Sequence, residues 1–206
     1  MQQSLAHLIN WNLDATDGEI GTVEDFYFDD QTWAVKYLVV RTGGWLSGRK
    51  VLVSPTVVTG NTWDLGLLPV SITKEQVRDS PDVNTDKPVS GQREAAKEGF
   101  HVRSAQQVGG YHIRANDGDI GHVADFIFDD QCWQISHLLI DTHNWVGGEK
   151  VLLAVHHISN IQSQNSTVVV DLSIEAIKNS FSLNKWNHII AKAENAEREK
   201  HISQHY

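Results

Sequence analysis

The phrase "IGTVEDFYFDDQTWAVK", beginning at Ile20, returns as "IGHVADFIFDDQCWQIS" from Ile120, and residue n aligns with n+100 without a gap. Asp17-Gly18 falls on Asp117-Gly118, Trp33 on Trp133, Trp45 on Trp145 and Lys50 on Lys150. Roughly half of the positions from Asp17 to Leu52 are identical, too many for a chance match. The register also survives outward, placing Ser4 on Ser104, Trp11 on Tyr111 and "VSITKEQVRDSP" on "VDLSIEAIKNSF". A period this long implies two copies of a whole domain rather than a solenoid of small units. A chain of 206 residues accommodates two domains of about 100 each, an ordinary domain size.

Between the copies, Pro81 and Pro88 stand among Asp, Asn, Ser and Thr, the composition of an extended connector. Ser90 is placed to cap a short helix through Ala96, with Gly99 ending it. The expected organisation is a first domain at 1–85, a linker with a short helix at 86–101, a second domain at 102–183 and a helical tail at 184–206. The tail is rich in Ala, Glu and Lys, and Trp186, Ile189, Ile190 and Ala193 fall close to one helical face.

Within each copy the period is that of strands, so the expected class is mainly β. "KYLVVRT" and "SHLLIDT" are short, branched and apolar, and "KVLVS" and "KVLLA" repeat the pattern. Turn signals arrive about every eight to twelve residues, the spacing of a sandwich or small barrel. Helix is confined to a turn after Ser4 or Ser104 and a short segment from Thr73 or Ser173, where Thr73 and Gln76 form a capping box. Apolar residues at Ile20, Val23, Phe26 and Phe28 slip by one in their alternation, as do their second-copy equivalents. An extra residue at Glu24-Asp25 and at Ala124-Asp125 predicts a β-bulge, which lets a small sheet curl into a barrel. Asp29, Asp30, Asp129 and Asp130 then lie where the strand reverses, and are read as structural turn residues.

The acidic residues lack the alternate-position ligands, internal Gly and terminal Glu of a calcium loop. Among the eleven histidines, His156 and His157 are adjacent on an expected strand edge, which sends them to opposite faces. His112, His122, His137 and His143 have no counterparts in the first copy, and no zinc-type Cys or His spacing is present. Cys132 has no activating base nearby and reads as an inert packed thiol. Neither a nucleophile elbow nor a phosphate-cradling loop occurs, so the expectation is no enzyme, no cofactor and no metal. Trp45 and Trp145 each sit in a Gly- or Asn-containing loop ahead of a lysine. With Arg49, Lys50 and Lys150 they form the candidate interaction surface, because tryptophan beside cationic side chains is a common interface anchor. The competing reading is a tryptophan folded back to plug its own barrel.

A net charge of −9 argues against a general nucleic-acid binder, which needs a basic face to displace counterions. One cysteine forms no intrachain disulfide, and no segment reads as a secretory signal or membrane span, so the expected place is the cytoplasm.

"DGEIGTVEDFYFDDQTWAVKYLVVRTGGWLSGRKVLVSP" and its second copy resemble the PRC-barrel domain, the cytoplasmic part of photosynthetic reaction centre H subunits and a module of the 30S ribosome maturation factor. The carriers are the Asp-Gly-x-Ile-Gly opening, the Trp after the turn and the Gly-x-Lys-Val-Leu strand, over residues 4 to about 83 and 104 to about 182. The resemblance implies two small PRC-type barrels in tandem, each a docking module without catalytic residues to carry over. It departs from the H subunit in lacking an amino-terminal membrane helix, and from the maturation factor in pairing two like barrels. Phe181 also replaces Pro81 at the second exit. The expected role is therefore binding a protein partner or a second copy as a homodimer. Alternatives are a reaction-centre-like role in electron transport, ribosome assembly, and a metal-dependent sensor or enzyme.

Overall fold

The computed structural model describes residues 1–60, 66–80, 101–142 and 150–179. The expected linker helix at Ser90–Ala96 and the tail from Asn184 lie outside the described residues. The described chain is mainly β. Its strands are β1 (Gln2–Ser4), β2 (Asn12–Ala15), β3 (Gly18–Asp29), β4 (Val35–Thr42), β5 (Lys50–Val53), β6 (Leu67–Pro69) and β7 (Val102–Ser104). They continue as β8 (His112–Ala115), β9 (Gly118–Asp129), β10 (Gln134–Asp141), β11 (Lys150–Ala154), β12 (Ile158–Gln162) and β13 (Thr167–Val170). Strands β2, β3 and β8, β9 therefore recur at the interval that separates the two sequence copies.

One sheet runs β5-β4-β3-β2-β6, and the other β11-β10-β9-β8-β13-β12. Among the described residues neither path closes on itself, whereas the sequence reading expects a curled barrel. The reason lies in the length of β3. Its twelve residues pair with β4 along one edge, while the other edge takes β2 at Gly18–Thr22 and β7 at Tyr27–Asp29. A strand this long presents more edge than one short neighbour can cover, and the unpaired N–H and C=O groups must find partners. Strand β1 similarly adds to β9.

The bulge is present where the alternation slips. The β3–β4 register shifts between Val23 and Asp25, leaving Glu24 as the extra residue. The slip keeps Ile20, Val23, Phe26 and Phe28 all buried and leaves Glu24 half-buried, while Asp25 is drawn inside at 7 % exposure. Gly21 is dictated by contact. A Cβ there would stand 2.0 Å from the Arg41 carbonyl oxygen, and at Gly121 it would stand 2.0 Å from that of Asp141.

The short helices also start where the sequence places them. Ser4 caps Leu5–Leu8, Ser104 caps Ala105–Val108, Ser173 caps Ile174–Lys178, and Thr73 with Gln76 makes a capping box on Lys74–Arg78. The repeated Asp-Gly adds a further cap. Asp17 Oδ1 accepts from the Lys74 amide at 2.9 Å, and Asp117 Oδ1 from the Ile174 amide at 2.8 Å. Each hairpin thereby fixes the helix that follows its sheet.

The chain divides into two compact units. One comprises Met1, Gln3–Gly109 and Phe126–Ser136, and the other comprises Gln2, Gly110–Asp125 and the chain from His137. The first unit thus takes in two pieces of the second sequence copy: the strand-helix at 102–108 and the end of β9 with its turn.

Candidate functional site

The doubled acidic turn lies in the first unit. Asp29 Oδ1 accepts from the Gln31 and Thr32 amides at 3.0 and 2.8 Å, and the Asp29 carbonyl accepts from the Trp33 amide at 2.7 Å. Burial alone would raise the Asp29 pKa, but these N–H donors outweigh it and hold the carboxyl below its ordinary value. Asp129 Oδ1 accepts likewise from Gln131 at 2.8 Å, with Trp133 N to Asp129 O again 2.7 Å. The second aspartates reach across the repeat. The Asp30 carboxylate meets Arg103 Nε at 2.7 Å and His101 Nδ1 at 3.1 Å, and Asp130 meets the Met1 amino group. Their amides donate to the His101 and Met1 carbonyls at 2.8 and 3.0 Å.

These turns bring Trp33 and Trp133 into left-handed backbone, at φ 60° and 54°. That conformation is uncommon for a bulky side chain, and here it is over-determined by the surroundings. Val35 N donates to Trp133 O, and Ile135 N donates to Trp33 O, both at 2.8 Å. Ala34 bridges Gln134 in antiparallel register, and the Gln134 side-chain Nε2 also donates to Thr32 O. Around this reciprocal seam the rings pack closely. Trp33 stacks on Phe28 at 5.5 Å, Trp133 stacks on Phe128 at 5.0 Å, and Phe28 meets Phe126 at 5.3 Å. The sequence alone reads as a hairpin here and does not reveal the seam. The available signal was that FDDQ-x-W is spelled alike in both copies while the later loop is not.

Asp25 is a second feature not foreseen. Its Oδ2 accepts from Ser104 Oγ at 2.5 Å, and Oδ1 accepts from the amides of Gln106 and Phe26 at 2.9 and 2.7 Å. The carboxylate thus caps a helix encoded about 80 residues later. Burial dominates its titration and raises its pKa despite these donors.

The loop after β4 is ordered by its own tryptophan. Trp45 is half-buried, donates Nε1–H to the Ile20 carbonyl at 2.8 Å, and has Lys74 Nζ 5.8 Å from its ring centroid. Arg49 Nη2 donates to the carbonyls of Arg78 and of Ser80, the latter at 3.1 Å. Lys50 Nζ lies 2.8 Å from Glu24 Oε2, and Arg41 engages the other oxygen. Burial pushes the Glu24 pKa up, and these two cations outweigh it to leave the pKa lowered. The structure therefore gathers Trp45, Arg49 and Lys50 on one end of a sheet. Trp145 lies outside the described residues, and Lys150 is exposed on β11 opposite Asp141.

Two expectations are corrected. Cys132 is exposed, because it occupies the tip of the second acidic turn, at a cleft of about 310 Å³ lined also by Val35, Pro55, Val58 and Trp133. His156 and His157 do not point to opposite faces of a strand. They end a 3-10 turn at Val155–His157, which brings their ring centroids to 4.1 Å, and His157 Nδ1 lies 3.1 Å from Asp171 Oδ1. Half-buried His137 stands near them, its pKa lowered by burial and then by His156. Among the described residues, no group of three or more His, Cys, Asp or Glu is arranged to hold a metal ion.

Residues 13–65 match the sequence model of the PRC-barrel domain, which covers β2 through β5 with the acidic turn and the Trp45 loop. This chain carries a PRC-barrel domain. An uncharacterized protein of Deinococcus radiodurans is similar, at 35 % identity over 97 residues. The match takes in 47 % of this chain and 34 % of that relative, so it spans about a third of the relative's length. Among the described residues, no helix of this chain is long and apolar enough to cross a membrane.

Proposed function

We propose that the chain is a non-enzymatic docking protein built from two copies of the PRC-barrel domain, at 1–85 and 102–183, derived by internal duplication. The observation that carries the docking role is Trp45. Its ring is partly exposed while its N–H is already satisfied by Ile20, so a partner gains an apolar contact without having to order the side chain. Arg49 and Lys50 are held beside it by their own contacts, and they supply a polar rim. A single unpaired thiol at Cys132 suits a reducing cytoplasm as the working compartment.

Tagged protein purified from its native cells tests this role. A single stoichiometric companion is expected with the wild type, and Trp45→Ala should release it while leaving the far-UV circular dichroism unchanged. Recovery of no companion, together with a strict monomer in analytical ultracentrifugation, would overturn the reading.

A further inference from the structure

The seam in the first unit reads the same from either side: Val35 N meets Trp133 O, and Ile135 N meets Trp33 O, at equal distance. Phe28–Trp33 on one side is matched by Phe128–Trp133 on the other. Asp30 holds the backbone of His101 just as Asp130 holds that of Met1. Such i-to-j and j-to-i contact is the signature of an isologous interface, normally found between identical subunits. Here the interface closes within one chain, because residues 81–100 join its two sides.

We propose that this seam is a self-association surface whose partner is a second copy of this chain, which assembles by exchanging the segment from His101 onward. Whether a chain closes on itself or on a neighbour is set by the connection between Ser80 and His101. Arg49 holds the Ser80 carbonyl at the Gly21–Thr42 end of β3, while His101 is held by Asp30 at the opposite end. Nine residues of strand at about 3.3 Å each separate those ends by roughly 25–30 Å. The twenty connecting residues reach up to roughly 70 Å, so closure within one molecule is easy. Its effective concentration, on the order of millimolar, keeps dilute wild-type chains monomeric. This inference is independent of the Trp45 loop, so loss of a companion on Trp45→Ala leaves it untouched.

Deleting residues 83–98 from the full chain is the test. The four residues left span at most roughly 18 Å, too short to close the seam internally. Light scattering on the eluted protein should give twice the chain mass, with the near-UV circular dichroism of the wild type retained. A shortened chain that stays monomeric with that native signal overturns the proposal. If the deletion variant does not fold, the wild type decides. Light and heavy-nitrogen chains unfolded, mixed and refolded together at about 1 mM, near the effective concentration, should yield dimers of mixed mass in native mass spectrometry. Refolding to monomers alone overturns it equally.

Discussion

In the turn after β3, Trp33 adopts left-handed backbone, stacks on Phe28 and offers its carbonyl to Ile135. In the loop after β4, Trp45 turns back to its own sheet and hydrogen-bonds Ile20. Both tryptophans recur in the second copy, and both stand near turn residues. The first is 7 % exposed and joins two segments remote in sequence, whereas the second is half-buried and tidies a local loop. Wording around the first is nearly the same in both copies, DDQTW against DDQCW, while around the second GGWLSGRK stands against HNWVGGEK. The difference teaches that the turn is bound by reciprocal packing and cannot drift on one side alone. The loop answers to its own sheet and to the Lys74–Arg78 helix and Ser80 beside it.

The largest effect should therefore fall on the turn. Trp33→Ala or Trp133→Ala is expected to cost about 3–5 kcal/mol, since each empties a stacked, buried position. Trp45→Ala should cost only about 1–2 kcal/mol, for one hydrogen bond and partial burial. Denaturant midpoints for the three variants check this ranking, and equal losses would erase the distinction between turn and loop.

A smaller effect separates the two copies of the aspartate after the bulge. Asp25→Ala leaves the amides of Phe26 and Gln106 and the Ser104 hydroxyl without their acceptor, at about 2 kcal/mol. Asp125 is less buried, so Asp125→Ala should cost less in the same unfolding measurement.

The smallest effect is a slope. His137 has a folded pKa below its ordinary 6.5, so the unfolded chain takes up that proton first as pH falls. Its share of stability is lost as pH drops below about 6.5 and levels off beneath the folded value. His137→Tyr installs the first copy's residue at that place, Tyr37, and should flatten this part of the thermal midpoint against pH. An unchanged slope would assign the titration to other groups.

Much of the fold is legible in the sequence because local rules write it. Ser4, Thr73, Ser104 and Ser173 are caps that need only a neighbouring amide, and the slip between Val23 and Phe26 marks a bulge by its alternation. The placement of the Asp25 carboxylate on Gln106 is not legible, because nothing near residue 25 specifies which distant helix will arrive. The 3-10 turn at Val155–His157 is hidden for a different reason. "KVLLAVHHIS" is apolar enough to read as one continuing strand, and no glycine or proline marks the break. In the first copy the same bend carries Pro55 and is plain. Of the candidate surface, Trp45, Arg49 and Lys50 are assembled by adjacency in sequence, whereas the seam exists only once the two turns meet.

The pairing of β7 with β3 carries a consequence for biosynthesis. An edge belonging to the first eighty residues is finished by Val102–Ser104, a strand the ribosome delivers only after the whole connector has emerged. Until then the edge of Tyr27 to Asp29 that faces away from β4 stands without a neighbour, an open template on which a nascent chain beside it can settle. The interval before residues 102–104 leave the ribosome is thus one in which this edge is open to the wrong neighbour.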